Sequence, residues 1–310
     1  MRSIPALGLI AILAAALAQH APGDLNHEAD ARAGVQVGTP LVSIPVLVTD
    51  VAMHFVTGLD QRNFSVFEGK TEQVITQFSR ADAPFSIGIV FDASGSMGNK
   101  IRRSREAVAE FLKTANQEDE FFLVCFSDRA HLMVGMTPDA GAIRSRLAFT
   151  RAKGHTALVD GIYMATDQMK QARNPRKALL IISDGGDNSS QYSGAEVRRV
   201  IHESDIQIYA IRVYEPVPSG ARMSEERSGN GLLRELCRQT GGKDFDVGDL
   251  AELPDVAAKI GLELRSEYVL GYVPENMVKD SKYRQVQVKL VKTVGSPQLM
   301  FRTRYYAPEP

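Results

Sequence analysis

Cysteine is scarce in this sequence, and its scarcity excludes two kinds of protein. Cys125 and Cys237 are the only cysteines among 310 residues. A disulfide-stabilised scaffold needs several cysteine pairs, and a cysteine-based zinc site needs several thiolates. Cys125 falls in an apolar, strand-like run and Cys237 on the apolar face of a helix-like run, so we predict two buried free thiols. A single disulfide stays open, because a sequence does not give the distance between two sulfurs.

An excess of charge of one sign is also missing. The chain has 36 Lys and Arg against 37 Asp and Glu, a formal net charge of -1, and both signs are mixed along its length. The long-range field that draws a protein to nucleic acid or to anionic lipid requires a clear imbalance. We therefore expect no nucleic-acid partner.

Long hydrophobic runs are absent after the first 18 residues. The N-terminal run extends from Ile4 to Leu17, follows the basic Arg2 and ends in the small-residue pattern ALA at 16–18. These features predict a secretory signal peptide over residues 1–18. A membrane anchor is the alternative, but the run is shorter than the roughly 20 residues of a spanning helix. We therefore expect an exported protein without a membrane span in its mature chain, which is periplasmic, at the cell surface or secreted.

The segments on either side of the central part of the chain have a β pattern. Residues 19–35 are polar and predict a flexible leader. Residues 36–83 and 266–310 then carry strand-like runs such as EQVITQF (72–78) and LMFRTRYY (299–306). Because chain termini tend to lie close together, we predict that both β segments pair in one small β-sandwich. Two independent β appendages are the alternative.

Residues 84–265 alternate short apolar runs with amphipathic helical segments. The runs are FSIGIVFD (85–92), FFLVCFS (121–127), ALLIISD (178–184) and IQIYAIRVY (206–214), with HLMVGMT (131–137) as an edge strand. Strands that are apolar on both faces belong to a parallel sheet covered by helices. The polar segment 215–231 predicts a surface loop. The fold class is therefore α/β, a doubly wound and mostly parallel sheet whose ligand crevice lies at the carboxyl ends of the strands.

Oxygen-bearing side chains follow the first strand of this block. Asp92, Ser94 and Ser96 lie in the turn DASGSMG, where two glycines let the backbone turn sharply. Carboxylate and hydroxyl oxygens without sulfur or imidazole suit Mg²⁺, Ca²⁺ or Mn²⁺. A serine-rich helix cap is the alternative for this turn taken alone.

Two further residues are predicted to reach the same edge of the sheet. Thr156 comes just before an amphipathic helix, and Asp184 ends the strand-like run ALLIISD. Each has a simpler interpretation, Thr156 as a helix N-cap and Asp184 as a turn residue. In a doubly wound sheet, however, both come to the edge that carries Asp92. We interpret nearby Asp187 as a solvent-exposed turn carboxylate rather than a group that supports the metal, and assign His155 no role.

The pieces DASGS, GHTAL and ISDGGDN resemble the metal-ion-dependent adhesion site of von Willebrand factor A domains, the fold shared with integrin ligand-binding domains. This resemblance covers residues 84–265. The flanking runs VSIPVLVTD, VTGLDQRNFSVFEGK and YVLGYVPEN resemble those of the acidobacterial-type VWFA-related domain family of exported bacterial proteins. The resemblance implies that Ser94 and Ser96 ligate the ion directly. It implies that Asp92 and Asp184 hold the ion directly or through water. It also implies that Thr156 ligates the ion in one conformational state and not in another.

The function that we predict is a metal-dependent protein-binding or adhesion module, not an enzyme. An Asp or Glu of a protein partner would complete the coordination of the divalent ion. A Mg²⁺-dependent hydrolase or phosphoryl-transfer enzyme is one alternative, but DASGS has no second carboxylate two residues after Asp92 and no phosphate loop, G-x-S-x-G or H-E-x-x-H motif occurs. A structural role in envelope assembly is the other.

Overall fold

A computed structural model of the chain describes residues 41–80, 83–214, 224–278, 280, 282–291 and 296–307. The predicted signal peptide over residues 1–18 and the predicted leader over 19–35 lie outside the described residues. None of the helices in the described part combines the length and the apolar content that crossing a membrane requires.

The chain runs from antiparallel strands into an α/β block and back into antiparallel strands. The first flank forms β1 (Val42–Thr49), β2 (Phe64–Glu68), β3 (Thr71–Gln73) and β4 (Ile75–Ser79). The block forms β5 (Phe85–Asp92), α1 (Ile101–Leu112), β6 (Glu120–Phe126), β7 (Ala130–Thr137), α2 (Ala140–Ala148), α3 (Leu158–Gln168), β8 (Arg176–Ser183), α4 (Gly194–His202), β9 (Ile206–Val213), α5 (Ser224–Thr240), β10 (Asp244–Val247) and α6 (Leu253–Ser266). The second flank forms β11 (Tyr268–Tyr272), β12 (Tyr283–Leu290), β13 (Gln298–Phe301) and β14 (Arg304–Tyr306).

The α/β block is built on a six-stranded sheet with the order β10-β9-β8-β5-β6-β7. All neighbouring strands are parallel except the edge strand β7, which is antiparallel to β6. One face packs against α1, α2 and α6, and the other against α3, α4 and α5. Every residue of β5 is buried, as expected for a strand that is apolar on both faces. The predicted fold class is confirmed.

The two flanks form a β-sandwich together. One sheet has the order β13-β1-β11-β4 and the other β14-β12-β2-β3, so each sheet mixes strands from both ends of the chain. Their side chains share one core, which includes Val46, Phe64 and Tyr268. Two independent β appendages are therefore excluded. The sequence runs 72–78 and 299–306 each look like one strand. In the structure each run contains two strands, one in each sheet of the sandwich. Val74, between β3 and β4, is 77% exposed.

The prediction of a surface loop over residues 215–231 is wrong for residues 224–231, which are helical. Helix α5 begins at Ser224, and residues 215–223 lie outside the described residues. The polar composition of this segment predicted a loop, but Gly229 lies within α5, where a Cβ would overlap the carbonyl oxygen of Gly185. Further along α5, Leu233 and Leu236 are fully buried, which fixes the helix on the sheet.

The two thiols are free and buried, as predicted. Cys125 packs in the core on one face of the central sheet and Cys237 in the core on the other face. The sheet therefore separates the two sulfurs, and no disulfide joins them. Burial raises the pKa of the Cys125 thiol to about 12 and also raises the pKa of Cys237, so neither is a reactive thiolate at neutral pH.

Arg176, at the start of β8, ties the central sheet to the chain that enters the sandwich. Its Nη2 donates hydrogen bonds to the carbonyl oxygens of Leu264, at 2.8 Å, and Glu267, at 3.0 Å. Its guanidinium lies 3.9 Å from the centre of the Phe85 ring. These contacts hold the end of α6 and the start of β11 against the first residues of β5 and β8.

Glu267, between α6 and β11, is a fully buried carboxyl group in this junction. Its Oε1 accepts hydrogen bonds from Tyr209 Oη, at 2.8 Å, and Gln207 Nε2, at 3.0 Å. Its Oε2 has no hydrogen-bond partner among the described residues. Burial raises the pKa of Glu267 to about 7, although the nearby Arg176 opposes the rise. The group therefore binds a proton in the folded protein at mildly acidic pH.

We expect Glu267→Gln to stabilise the protein above pH 7, because it keeps both acceptor contacts and removes a buried charge. The pKa of Glu267 rises from 4.5 in the unfolded chain to about 7 in the folded protein, so stability is lost as the pH rises through this window. The loss approaches about 1.4 kcal/mol per pH unit. Urea denaturation from about pH 5 to about pH 8 measures it.

The variant should lack this part of the pH slope, and its advantage over the wild type should grow with pH. Glu118→Gln, at an exposed position, is the matched control and should follow the wild type. Equal slopes for the wild type and Glu267→Gln would contradict the prediction.

Candidate functional site

The candidate site lies at the carboxyl edge of the central sheet. Strands β5 and β8 are neighbours, and Phe91 lies opposite Ile182 in their parallel register. Asp92 is the last residue of β5, and Asp184 directly follows β8. Because parallel strands end at the same edge, the two carboxylates come together from distant parts of the chain, as the sequence predicted.

The turn after β5 is organised around the buried carboxylate of Asp92. Its Oδ1 accepts a hydrogen bond from Ser94 N at 2.8 Å, and its Oδ2 accepts one from Ser183 Oγ at 2.6 Å. A single 3-10 turn over Gly95–Met97 then brings Ser96 back, so that the hydroxyls of Ser94 and Ser96 are 3.0 Å apart. Ser94 is buried and Ser96 exposed, which leaves the second hydroxyl open to solvent.

The loop that carries Thr156 is attached to this turn by its backbone. Gly95 N donates to Gly154 O at 3.0 Å, and Lys153 N donates to Ala93 O at 2.9 Å. Thr156 is 5% exposed, and its Oγ1 lies 3.9 Å from the position that a Cβ at Gly186 would take. Asp184 Oδ1 is also 3.9 Å from that position. The structure thus places Thr156 and Asp184 around one small volume.

Asn188 locks the Thr156 loop to the segment after β8. Its Oδ1 accepts a hydrogen bond from Thr156 N at 2.9 Å, and its backbone N donates to Thr156 O at 2.9 Å. The backbone of Thr156 is thereby held on both sides. Thr156 accordingly does not act as a side-chain cap: α3 begins at Leu158 after Ala157, with no side-chain cap hydrogen bond.

Two carboxylates, Asp92 and Asp184, lie close together in the site, and Lys100 offsets part of their negative charge. Lys100 Nζ donates a hydrogen bond to Asp184 Oδ2 at 3.1 Å, and both side chains are only 10% exposed. Burial and the neighbouring carboxylate of Asp184 raise the pKa of Asp92 to about 6, although hydrogen bonds from Ser183 and Ser94 oppose the rise. The two carboxylates therefore repel each other at neutral pH.

The donor set fits a hard divalent cation. No three His, Cys, Asp or Glu side chains converge in the part of the chain that the structure describes, so a cation here would depend on hydroxyls as well as carboxylates. Two carboxylates and three hydroxyls are the oxygen ligands that Mg²⁺, Ca²⁺ and Mn²⁺ accept. The ammonium of Lys100 already lies on one side of Asp184, within hydrogen-bond distance of Oδ2.

Residues 87–186, which contain all five candidate ligands, match the family model of the von Willebrand factor type A domain. The chain carries a von Willebrand factor type A domain.

Two curated relatives share about a quarter of their aligned residues with this chain. An uncharacterised protein of Borreliella burgdorferi is 26% identical over 188 residues, which are 53% of this chain and 54% of that protein. Inter-alpha-trypsin inhibitor heavy chain H4 of Sus scrofa is 26% identical over 132 residues, which are 39% of this chain and 14% of that protein. The chain thus spans about half the length of the first relative and a small part of the second.

Two solved structures have a similar fold. A von Willebrand factor type A protein from Catenulispora acidiphila aligns with a TM-score of 0.51 and 14% identity, over 88% of this chain and 75% of that one. Proximal thread matrix protein 1 from the mussel byssus aligns with a TM-score of 0.51 and 17% identity, over 64% of this chain and 51% of that one. At these identities the likeness concerns the fold alone.

Asp128, after β6 of the von Willebrand factor type A domain, supports the site and was missed in the sequence. Its Oδ1 accepts a hydrogen bond from His155 N at 2.7 Å. Gly154 has a φ of +77°, and a Cβ there would lie 2.5 Å from Asp128 Oδ2. Only glycine therefore fits between this carboxylate and the turn after β5. The sole sequence signal was a carboxylate shortly after the end of a strand.

Asp187 also differs from its interpretation as a solvent-exposed turn carboxylate. It is half-buried, and its Oδ1 accepts hydrogen bonds from Ser190 Oγ at 2.6 Å and from Val159 N at 3.4 Å. Burial raises its pKa. Asp187 therefore accepts a hydrogen bond from the first turn of α3 but lies outside that helix, which follows the Thr156 loop. His155 is exposed, and its side chain has no assigned role.

We expect Asp92→Asn to stabilise the metal-free von Willebrand factor type A domain at about pH 7.5. The amide retains an oxygen for Ser94 N and removes the repulsion with Asp184. Because the folded-state pKa of Asp92 is about 6, against an ordinary 3.8, the gain should be roughly 1–3 kcal/mol above pH 6 and should vanish as the pH falls towards 3.8.

Urea denaturation in excess EDTA measures this gain. Asp167→Asn, which removes the same charge from a side chain that is 66% exposed, is the control and should change stability little. Lower stability of Asp92→Asn than of the wild type in EDTA would show that the carboxylate is needed for the fold itself.

Proposed function

We propose that this protein is an exported binding module that holds a divalent cation at Asp92, Ser94, Ser96, Thr156 and Asp184 and binds the carboxylate of a protein partner. The proposal is supported by the position of all five residues at the carboxyl edge of the sheet, on the turns that follow β5 and β8 and on the loop before α3. Export is supported by the signal-peptide pattern of residues 1–18. From the flanking runs we also propose that the protein belongs to the acidobacterial-type VWFA-related domain family.

Each of the five candidate ligands would have a separate part in this site. The hydroxyls of Ser94 and Ser96 would ligate the ion, Asp92 and Asp184 would hold it directly or through water, and Thr156 would join in one conformational state. The bound cation supplies attraction for an incoming carboxylate. Because Lys100 offsets part of the negative charge of Asp184, the ion would keep its attraction for the carboxylate of a partner. The exposed side of Ser96 would face the partner.

Binding is favoured over catalysis by the surroundings of Asp92. A nucleophilic carboxylate must present a free oxygen to substrate, together with a positioned acid or a stabilising cation. Both oxygens of Asp92 instead accept hydrogen bonds from groups of the protein, and the side chain is 0% exposed. The nearby cation, Lys100, is engaged with Asp184. We therefore propose no hydrolase or phosphoryl-transfer activity.

We expect Mn²⁺ to bind the protein one-to-one and to be displaced by Mg²⁺. Ser94→Ala and Asp184→Asn should each weaken binding by at least about tenfold, because even groups that only support metal ligands have effects of that size. Isothermal titration with Mn²⁺ measures the affinity, and Asp167→Asn is the control. Unchanged affinity in both site variants would contradict the metal site.

The partner's carboxylate is tested in a separate experiment. Immobilised protein is incubated with envelope extract in Mg²⁺ or EDTA, and again after carboxylates in the extract have been converted to amides. A specific partner should be retained only in Mg²⁺, only by protein with an intact site and only before amidation. Retention in EDTA, or by Ser94→Ala, would overturn metal-dependent binding even if the metal binds.

We expect Lys100→Met to bind Mn²⁺ more tightly than the wild type, by about tenfold, because it removes a positive charge beside the ion. Methionine has a similar length and suits a side chain that is 10% exposed. Lys113→Met, at a lysine whose side chain is 64% exposed, is the matched control in the same titration. Weaker binding by Lys100→Met would mean that the ammonium is needed to hold Asp184 in position.

A further inference from the structure

A cavity of about 650 Å³ lies where the von Willebrand factor type A domain meets the β-sandwich. Its wall on the domain side includes His202 at the end of α4, Asp205 just before β9 and Thr240 at the end of α5. On the sandwich side it includes Arg302 and Tyr305. Because β9 starts at this end, the cavity lies at the edge of the central sheet opposite to Asp92. It is separate from the candidate metal site.

The sandwich side of the cavity carries an apolar rim. Leu41 is 37% exposed, Met277 56%, Val278 59% and Tyr283 41%, and all four line the cavity. Single exposed apolar side chains are common on protein surfaces, but four around one concave site are typical of a ligand-binding or interaction site. This rim would contact the apolar part of a bound molecule.

The cavity wall also contains Arg302, a buried cation whose charge is only weakly compensated by a carboxylate. The Arg302 side chain is 13% exposed, and the carboxylate paired with it, Asp205, is 3.9 Å away. Its Nε has no hydrogen-bond partner among the described residues. Burial lowers the pKa of this guanidinium, since water is excluded from the charged group. A buried guanidinium normally has carboxylate or carbonyl partners, so Arg302 has capacity for a further acceptor.

Among the described residues that line the cavity, positive charges outnumber negative ones. Four arginines line the cavity against two carboxylates, Glu203 and Asp205. Arg198 is engaged by Glu235 at 2.9 Å, and the Arg304 guanidinium lies 4.9 Å from the centre of the Tyr283 ring. The lining therefore offers a cationic pole at Arg302 and an aromatic and aliphatic rim beside it.

We propose that this cavity binds a small organic anion, with its acidic group at Arg302 and its apolar body against Met277, Val278 and Tyr283. Its volume is that of a site for a compact organic ligand, and boundaries between domains are common places for such sites. A fatty acid or an aromatic carboxylic acid has an acidic group for Arg302 and an apolar body for the rim. Inorganic phosphate would meet the cation but leave the apolar rim exposed to water.

The probe for this site is 8-anilinonaphthalene-1-sulfonate, an aromatic anion whose fluorescence rises in apolar surroundings. Titration of the full chain should give saturable one-to-one binding that laurate displaces and that inorganic phosphate at the same concentration does not. Arg302→Leu should weaken the affinity by about tenfold or more, because it removes the charged partner. Arg144→Leu, at an exposed arginine on α2, is the matched control and should bind as the wild type does.

A second variant covers the case in which Arg302→Leu fails to fold by circular dichroism. Met277→Glu adds a negative charge at the exposed rim, leaves the buried arginine in place and should also weaken probe binding by about tenfold. The proposal is overturned if the wild type shows no saturable binding, or if phosphate displaces the probe as well as laurate does. Wild-type affinity in the folded variants would overturn it equally.

Discussion

The parallel pairing of β5 with β8 at the centre of the sheet is the constraint on which the candidate site depends. With Phe91 opposite Ile182, the two strands end at the same edge, and Asp92 and Asp184 leave them side by side. Since β5 is buried on both faces, its apolar pattern alone does not fix this register, and a slip would separate the two strand ends. The hydroxyl-bearing turns then gather around these carboxylates.

Bringing two carboxylates together has a cost in stability that the surrounding groups offset in part. A backbone N–H of Ser94, the hydroxyl of Ser183 and the ammonium of Lys100 all compensate the charge. The compensation is incomplete, since the pKa of Asp92 remains at about 6. A neutral group at the end of β5 would avoid this cost, and the charge of Asp92 is what the proposed cation would use.

Most of the framework could be predicted from the sequence, because strands that are buried on both faces are recognisable as short apolar runs. The topology of such a sheet also predicted that Asp92, Thr156 and Asp184 lie at the same edge. Contacts between loops could not be predicted: Asp128 with the Gly154 turn and Lys100 with Asp184 depend on the path of the backbone in space. The first part of helix α5 was missed because the segment 215–231 is polar, as surface loops are.

Helix α5 connects the two ends of the central sheet. Near its start, Gly229 and Asn230 pack against Gly185 in the loop after Asp184, where a Cβ at Gly185 would overlap the Asn230 side chain. At its end, Thr240 lies in the wall of the cavity beside the sandwich. Between these points the helix is close-packed on the sheet through Leu233 and its neighbours, and such interiors transmit displacements rather than absorb them. A shift of α5 along its axis would therefore alter the loop beside the carboxylates and the shape of the cavity together.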